Sequence, residues 1–304
     1  MTIQRIDAHQ HFWRPARGDY GWLRADDPGL APLYRDFMPT DLQPTLQTHQ
    51  VAQTVLVQAA ESEAETEFML SLAESTTFIG GVVGWVDLSR AESTSTLARW
   101  AERHPHLKGV RPMLQDLADA DWIAHAPYAD TVRTMQRLGL RFDALVKPQH
   151  LSGLLRFVQA WPDLPVVIDH AAKPQLRAGW NADWAGSWRR QMAELAAHPQ
   201  VVCKFSGLLT EAPEAAGAAE LRPVWSHLLE CFGPDRLLWG SDWPVLNLAS
   251  DYVNWIGVAD SLIGELSVDE QASVWHDTAA RFYGLETRLP EDALTPARST
   301  ELPS

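Results

Sequence analysis

Two histidines near the N-terminus stand two positions apart, in the segment Asp7-Ala8-His9-Gln10-His11. Alternate side chains of a β-strand point to the same face, so a strand here directs Asp7, His9 and His11 to one side. Two imidazoles aimed at one point are costly unless they are protonated, hydrogen-bonded or bound to a cation. The pattern therefore predicts that His9 and His11 bind a metal ion or hydrogen-bond a substrate.

Two later apolar runs also end in polar residues. One is Val-Val-Ile-Asp169-His170, followed by Lys173, and the other is Leu-Leu-Trp-Gly-Ser-Asp242-Trp-Pro. If these runs are parallel strands of one barrel, their carboxyl ends share one face, and His170 and Asp242 meet the two N-terminal histidines there. Two structural alternatives stay open: Asp242 as a helix N-cap or turn former, and His170 as a core histidine bonded to a loop carbonyl.

Short β-rich runs recur along the chain, with apolar residues at helical spacing between them. The strands are expected near Ile3–His11, Gln53–Ala59, Phe78–Val86, Leu107–Met113, Leu140–Val146, Pro165–His170, Val201–Ser206 and Leu237–Asp242. Helix starts are predicted by three capping-box patterns, Ser62-x-x-Glu65, Ser89-x-x-Glu92 and Ser267-x-x-Glu270. This α/β alternation predicts a single (β/α)8 TIM-like barrel over residues 1–289. An open doubly wound sheet is the alternative, but no Gly-x-Gly-x-x-Gly turn follows a predicted strand.

Two segments lie outside this repeat. The loop Phe12–Pro39 follows the first predicted strand, is rich in aromatic residues, and is longer than most connections between a strand and a helix. We expect it to cover the active-site face, so that replacing Trp13 by Ala weakens turnover more than stability. Residues 290–304 are rich in Pro, Thr, Ser and Glu and are predicted to form a disordered tail.

The charge balance argues against polyanionic partners. There are 25 Lys and Arg residues against 39 Asp and Glu residues, a formal charge of −14, which opposes binding to nucleic acid or to an anionic membrane. No apolar run approaches the roughly 18 residues of a transmembrane helix, and the start of the chain carries no signal-type apolar stretch. Two cysteines cannot build a cysteine-rich zinc site. The sequence therefore predicts a cytoplasmic protein.

Three motifs carry a resemblance to a known family: Asp-x-His-x-His in the first predicted strand, Asp-His-x-x-Lys-Pro at the sixth and Gly-Ser-Asp-Trp-Pro at the eighth. Together with Lys204-Phe-Ser-Gly and the Ala-Arg-Phe-Tyr stretch that ends at Tyr283, they resemble the amidohydrolase superfamily. Within it, the chain is most similar to sugar-lactone hydrolases of the L-fuconolactonase and L-rhamnonolactonase type. The resemblance spans Ile3 to Leu285 and implies an enzyme of carbohydrate metabolism that opens a sugar-acid lactone to the free aldonate.

The resemblance also implies roles for particular residues. His9, His11 and Asp242 would hold one divalent metal ion, for which zinc is the expected identity. Asp242 would also act as general base on the attacking water. His170, together with Arg111 or a lysine, would stabilise the negative charge that develops on the carbonyl oxygen.

The chain departs from the pattern of the binuclear members of the superfamily. Those members use a bridging lysine or carboxylate on the fourth strand and a histidine on the fifth. The corresponding runs here end in Lys108-Gly-Val-Arg111-Pro-Met and in Ala-Leu-Val-Lys147. We therefore expect at most one metal ion, and hydrolysis without a metal stays open.

The residues expected to bind substrate are hydrogen-bond donors and aromatic side chains near predicted strand ends: Trp13, Arg111, Lys147, Lys173, Lys204 and Trp243. Trp22 in the long loop could likewise present an apolar face to the sugar, and core or loop packing is the alternative for each tryptophan. The expected ligand is a small sugar lactone, and the protein partner left open is a second copy of the chain in a homodimer. The alternative functions are a lactonase for an aromatic-derived dicarboxylate or enol lactone, a related metal-dependent decarboxylase, and a non-catalytic sugar-acid binding barrel.

Overall fold

The computed structural model describes residues 3–286, which contain eight parallel strands in a nearly closed barrel. The strands are β1 (Arg5–Gln10), β2 (Val51–Val57), β3 (Ile79–Gly84), β4 (Leu107–Val110), β5 (Arg141–Ala144), β6 (Val166–Ile168), β7 (Val201–Phe205) and β8 (Leu237–Trp239). Each strand pairs in parallel with the next one in the chain. Every strand overlaps a predicted run, and the predicted (β/α)8 barrel is confirmed.

The barrel closes between β1 and the segment that follows β8. The backbone N–H of Asp242 donates to the carbonyl of His9 over 2.8 Å, and the N–H of His11 donates to the carbonyl of Trp243 over 2.7 Å. These two bonds bring the end of the first strand beside the end of the last, although the residues are more than two hundred positions apart in the sequence.

Helices connect the strands and cover the outside of the barrel. They are α1 (Pro39–Thr48), α2 (Glu63–Ser75), α3 (Ser93–Arg103), α4 (Trp122–His125), α5 (Ala129–Leu138), α6 (Leu151–Ala160), α7 (Asp183–Ala196), α8 (Ala218–Phe232), α9 (Tyr252–Ile263), α10 (Val268–Ala272) and α11 (Thr278–Tyr283). Buried residues spaced by three or four, such as Leu97 and Trp100 of α3 or Leu154 and Val158 of α6, give these helices one apolar stripe against the barrel. Between residues 3 and 286, no helix has both the length and the apolar character that a bilayer crossing requires.

Two of the predicted helix starts have opposite outcomes. Ser267 and Glu270 form the complete capping box at the start of α10, with each side chain bonded to the backbone of the other residue. The prediction at Ser89 is wrong, because α3 begins four residues later, at Ser93, and the Ser89 hydroxyl donates instead to the Asp87 carboxylate over 2.6 Å. Ser89 therefore belongs to a local turn and does not cap the helix as the pattern predicted.

The third predicted start is half right. Ser62 caps α2 by accepting a hydrogen bond from the backbone N–H of Glu65, but the Glu65 side chain does not reach back to Ser62. Its carboxylate accepts from the N–H groups of Ala59 and Ala60 over 2.8–3.1 Å, and burial raises the pKa of this carboxyl to about 8. Glu65 thus anchors the loop that follows β2.

The lower half of the barrel interior, toward the amino-terminal ends of the strands, is apolar. It is filled from the strands and closed by the region of α11, with Ile6, Ala8, Val55, Val57, Val83, Val167, Val202, Leu238, Phe282 and Tyr283 in one buried cluster. The histidines and Asp242 lie at the carboxyl ends of the strands, where active sites of such barrels lie.

Asp7 does not share a face with His9 and His11, so that part of the sequence prediction is wrong. Its carboxylate accepts hydrogen bonds from the backbone N–H of Ser241 over 2.8 Å and from the Tyr252 hydroxyl of α9 over 3.0 Å. The reason is a register shift within β1, since one extra residue in a strand reverses the alternation of side chains beyond it.

The long connection from β1 to α1 is tied together at its two ends. Trp13 and Phe37 exchange two backbone hydrogen bonds of 3.0 Å each. Between them, the 3-10 helix Pro28–Leu33 packs against a second one, Val245–Leu248, in the loop after β8. The segment predicted as the loop Phe12–Pro39 therefore lies at the carboxyl-terminal face of the barrel. The predicted tail 290–304 and the boundary at residue 289 lie outside the described residues.

Candidate active site

Three imidazoles and one carboxylate converge at the carboxyl ends of β1, β6 and β8. Nε2 of His9 lies 3.2 Å from Nε2 of His11 and 3.7 Å from Oδ1 of Asp242. That carboxylate oxygen also lies 3.3 Å from Nε2 of His11 and 3.7 Å from Nε2 of His170. We call these four buried residues the histidine cluster. The structure thus brings together the four side chains that the sequence places at three separate strand ends.

The backbone is strained at two members of the histidine cluster. Residues His170 to Lys173 form a run with positive φ angles of 48–59°, and Asp242 has a φ of 58°. Left-handed backbone costs a non-glycine residue about 1–2 kcal/mol, and such residues concentrate at functional sites. Gly207, in the loop after β7, leaves room for the turn, because a Cβ there would lie 2.4 Å from Nδ1 of His170.

Hydrogen bonds from outside the cluster orient two of the rings. Nδ1 of His11 lies 2.7 Å from the carbonyl oxygen of Val57. A carbonyl only accepts, so Nδ1 carries the proton and Nε2 of His11 presents an open lone pair. Nδ1 of His170 lies 2.9 Å from the Ser206 hydroxyl, which holds that ring toward Asp242.

Two proton arrangements compete at His9. In the first, the Lys204 ammonium, 3.2 Å away, donates to Nδ1, and the ring donates from Nε2 to the open lone pair of His11. In the second, the Nδ1 proton faces Oδ1 of Asp169 at 3.4 Å, and Nε2 accepts from Nη1 of Arg111 over 3.3 Å. The second arrangement places two unprotonated nitrogens only 3.2 Å apart, a contact that a cation or a proton between them would relieve.

Burial sets the charge of the cluster. It lowers the pKa of His11 and of His170, the latter to about 4, and together with the Lys204 charge it holds the pKa of His9 well below its ordinary value. Burial alone would raise the pKa of Asp242, but its charge interactions with His170 and then with His9 and His11 outweigh this and bring that pKa below the ordinary value. At neutral pH, one ionised carboxylate therefore faces three neutral rings.

A second set of buried charges lies beside and below the first. The Lys204 ammonium donates to Oδ2 of Asp143 over 2.6 Å and lies 2.9 Å from Oδ1 of Asp169. Nη1 of Arg111 donates to Oδ2 of Asp169 over 3.2 Å, and the Tyr283 hydroxyl donates to Asp143 over 2.7 Å. We call Asp143, Asp169, Lys204 and Arg111 the ion-pair cluster. Its two carboxylates and two cations balance each other.

A pocket of about 290 Å³ opens above these charges. His11, His170 and Asp242 of the histidine cluster line it, as do the cationic side chains of Arg111 and Lys173. A water molecule or a small ligand in the pocket can therefore reach the ionised carboxylate and at least two hydrogen-bond donors at once.

The other two lysines expected at the substrate lie elsewhere. Lys204 is fully buried in the ion-pair cluster and does not line the pocket. Lys147 donates to the backbone carbonyl of Gln115 over 3.1 Å, and of this pair it is Gln115 that lines the pocket. Of the predicted basic residues, the structure thus brings only Arg111 and Lys173 to the pocket.

Of the three tryptophans expected near the substrate, only one lines the pocket. Trp13 is fully buried and its indole N–H donates to the carbonyls of Leu33 and Arg35 within its own loop. Trp243 packs edge-on against Phe12 and Phe37. Neither lines the pocket, whereas the half-buried Trp22 does. The indole N–H of Trp22 donates to the carbonyl of Ala59 over 2.7 Å, which ties the long loop to the end of β2.

Sequence reasoning did not assign several residues that shape the site. Asp169 precedes His170 in the quoted motif, and Ser206 lies two residues after Lys204, so strand periodicity offered a signal for both. Gln115 and Asp116 line the pocket from the loop after β4. No periodic pattern marks a loop residue as pocket-facing, so the sequence offered no signal for these two.

The donor set of the histidine cluster fits one cation. His9, His170 and Asp242 each offer a ligand atom, and these atoms lie within 4.8 Å of one another; His11 offers a further open nitrogen. Imidazole nitrogens with one carboxylate oxygen are ligands that zinc accepts. Nε2 of His9, Nε2 of His11 and Oδ1 of Asp242, the set expected from the sequence, also lie 3.2–3.7 Å from one another. The carboxylates of the ion-pair cluster already neutralise Lys204 and Arg111.

Comparisons with known proteins agree on one family. The amidohydrolase family model matches residues 6–285. An L-fucono-1,5-lactonase of Burkholderia ambifaria is 42% identical over 290 residues, covering 94% of this chain and 97% of that protein. An L-fucono-1,5-lactonase of Burkholderia multivorans is 39% identical, covering 96% of this chain and 99% of that protein.

A solved structure supports the same assignment. The crystal structure of an amidohydrolase from Burkholderia multivorans with bound zinc is 38% identical to this chain. It superimposes with a TM-score of 0.84 and covers 93% of this chain and 100% of its own. The relatives therefore match the whole barrel rather than one motif.

Proposed function

The chain belongs to the amidohydrolase family, and on that basis we propose that it is a lactonase that hydrolyses L-fucono-1,5-lactone or a closely related sugar lactone to the free aldonate. The observation that carries the proposal is the ionised Asp242 lining a small pocket, with His11 and His170 beside it. Lactone opening needs a water that can lose a proton next to an electrophilic carbonyl, and this arrangement supplies the acceptor for that proton.

The charges around the pocket favour a neutral lactone over a dicarboxylate. Arg111 and Lys173 are its cationic lining residues, and Asp116 and Asp242 are the anionic ones. Arg111 already has partners within the protein, since it pairs with Asp169 and donates to the Gln58 carbonyl. A lactone carrying two carboxylates would need a surplus of positive charge, which this lining does not offer.

The chain's own residues account for each proton in the reaction. Asp242 accepts a proton from water as the water oxygen bonds to the carbonyl carbon, and the carbonyl π electrons move to its oxygen. As the tetrahedral intermediate collapses, the bond from this carbon to the ring oxygen breaks, and the ring oxygen takes the proton from Asp242. The product is the hydroxy acid, which ionises and releases one proton at neutral pH.

The negative charge of the tetrahedral intermediate needs a donor that lines the pocket. Lys173 is such a donor, and its ammonium lies 3.9 Å from the nearest carboxylate oxygen of Glu211, too far for a strong ion pair. His170 also faces the pocket and donates from Nε2 if the Ser206 hydroxyl donates to its Nδ1. These two side chains follow β6 and are held by the left-handed turn, which fixes their positions before substrate binds.

One zinc ion is the cofactor that the site fits best. His9, His11 and Asp242, whose ligand atoms lie 3.2–3.7 Å apart, would hold it. A bound zinc ion would act there as a Lewis acid, lowering the pKa of water and polarising a carbonyl. Elemental analysis of the purified protein is expected to find no more than one zinc per chain. Two tightly bound equivalents would contradict this part of the proposal.

A proton-release assay with a pH indicator tests the function. The protein is offered L-fucono-1,5-lactone, an L-rhamnono-lactone and a dicarboxylate lactone, each after chelation and again with added zinc, and spontaneous hydrolysis is subtracted. We expect the sugar lactones to be hydrolysed with a kcat/KM of about 10⁴–10⁸ M⁻¹s⁻¹, the ordinary enzymatic range. A preference for the dicarboxylate, carbon dioxide release from a carboxylated substrate, or no turnover by the folded protein would each overturn the proposal. The cytoplasmic location and the homodimer stay predictions.

A further inference from the structure

The pocket above the histidine cluster has two chemically different sides. Leu30 lines it from the long loop after β1, and Val245 and Leu248 line it from the loop after β8. Met113, Gln115 and Asp116 line it from the loop after β4. We call Leu30, Val245 and Leu248 the apolar wall, and Gln115 with Asp116 the polar wall.

The order of the strands places these walls opposite each other. In a barrel of eight strands paired in chain order, each strand faces the one four positions along, so the loop after β4 lies across the mouth from the loop after β8. The 3-10 helices Pro28–Leu33 and Val245–Leu248 pack against each other. The three apolar side chains therefore form one continuous wall rather than isolated contacts.

The polar wall offers a hydrogen-bond acceptor to a ligand. Within the described part of the chain, Oε1 of Gln115 is buried and has no hydrogen-bond partner, while its Nε2 donates to Asp116 over 3.2 Å. A buried acceptor that is left open is unfavourable unless a ligand completes it. A hydroxyl of a sugar lactone is a suitable donor, so the hydroxylated edge of the substrate belongs on this side.

We infer that the apolar wall receives a carbon of the substrate that carries no hydroxyl, so that the enzyme selects 6-deoxy lactones over their hydroxymethyl counterparts. This inference rests on the proposed lactonase function. L-fucono-1,5-lactone carries a methyl group where L-galactono-1,5-lactone carries a hydroxymethyl group. The methyl group gains from burial against Leu30, Val245 and Leu248, whereas a hydroxyl there loses its water without gaining a partner.

The test compares kcat/KM for these two lactones, which differ only at that carbon. For the wild-type protein we expect L-fucono-1,5-lactone to be preferred by roughly 10-fold or more, the range that one small group decides in an apolar pocket. Val245→Thr keeps the side-chain shape and adds a hydroxyl partner, so it should lower this preference by about threefold or more. Val253→Thr is the matched control, because Val253 is 60% exposed, does not line this pocket and should leave the preference unchanged.

A second variant guards against a folding defect in the first. Leu248 is 40% exposed, so Leu248→Asn should fold and should also lower the preference. If the wild-type protein hydrolyses both lactones equally well, or if neither variant changes the ratio, the apolar wall does not select the methyl group while the lactonase function stands. If the folded wild-type protein hydrolyses neither lactone, the proposed function fails and the inference fails with it.

Discussion

The ion-pair cluster and the histidine cluster are equally buried but differ in how their charges are compensated. In the ion-pair cluster, Lys204 and Arg111 neutralise Asp143 and Asp169, and of these residues only Arg111 lines the pocket. In the histidine cluster, a single carboxylate faces three neutral rings, and three of its four members line the pocket. On the proposed function, we expect the balanced cluster to hold the barrel and the rings in place and the unbalanced one to carry the chemistry.

This comparison predicts that activity and stability separate between the two clusters. Removing one partner from a balanced buried set leaves an uncompensated charge and costs stability. Removing the charge of a group that faces a pocket with open lone pairs removes a reactive group and leaves the packing intact. Substitutions in the ion-pair cluster should therefore lower stability, and substitutions in the histidine cluster should lower turnover.

The largest effect on turnover is expected for Asp242→Asn. Asparagine keeps the shape and the hydrogen bonds of the side chain but cannot accept the proton from water. We expect normal folding and a loss of kcat of roughly 10²–10⁴, the contribution of a general base. Asp130→Asn, at an exposed surface pair with Arg133, is the control and should change neither quantity. Near-normal turnover by folded Asp242→Asn would move the base to Asp116, the other carboxylate that lines the pocket, because Asp143 and Glu211, the alternatives the sequence suggests, do not line it.

Lys204→Met should act on stability first. Methionine fills a similar volume, but Asp143 and Asp169 would share a buried site without the ammonium between them. We expect a loss of about 3–5 kcal/mol in the free energy of unfolding, measured with denaturant. Lys147→Met, at a half-buried lysine that donates to one backbone carbonyl, should cost far less. Equal losses in the free energy of unfolding for the two variants would show that the ion-pair cluster has no particular role in stability.

Trp13→Ala should also lower stability, which reverses the expectation from the sequence. Trp13 is fully buried and bonded within its loop, so its removal opens a cavity under that loop. We expect about 3–5 kcal/mol in the free energy of unfolding, the usual cost of removing a buried aromatic side chain. Trp22→Ala should instead weaken turnover more than stability, because Trp22 lines the pocket. Unchanged stability of Trp13→Ala would show that its packing is dispensable.

The smallest effect is expected for Ser206→Ala. The hydroxyl holds the His170 ring through a single hydrogen bond of 2.9 Å, and one such bond contributes about 1 kcal/mol. As a positioning residue, Ser206 should affect kcat by about fivefold and leave KM nearly unchanged. Ser71→Ala, on the exposed side of α2, is the control. A change confined to KM would mean that Ser206 contacts substrate rather than positioning the ring.

The fold was accessible from the sequence because its elements are short and strongly patterned. The strands have three to seven residues each, and segments with apolar residues at helical spacing separate them. Parallel strands end on one face, so the sequence alone was enough to group His9, His11, His170 and Asp242. The register shift in β1 was not accessible. It depends on how β1 pairs with β2, and it turned Asp7 away from the site.

The parts of the site that the sequence did not yield depend on contacts between distant segments. Lys204 bonds Asp143 across 61 positions of the chain, and no spacing rule pairs residues on β5 and β7. The role of Trp13 depends on how its loop packs, and the loop sequence has no periodicity from which this packing could be predicted. Pocket-facing loop residues such as Gln115 were missed for the same physical reason, since loop side chains are oriented by tertiary contacts.

The most direct test of the central claim is one turnover in H₂¹⁸O with the protein in excess over L-fucono-1,5-lactone. If Asp242 removes a proton from water, the attacking oxygen comes from the solvent, and the aldonate of the first turnover carries one ¹⁸O in its carboxylate. If Asp242 attacks the lactone itself and water then opens the resulting anhydride at the Asp242 carboxyl carbon, the first aldonate carries only ¹⁶O. The ¹⁸O then enters the Asp242 side chain, where mass spectrometry of the peptide detects it. We expect labelled aldonate and unlabelled Asp242. Unlabelled aldonate with a labelled peptide would contradict this expectation.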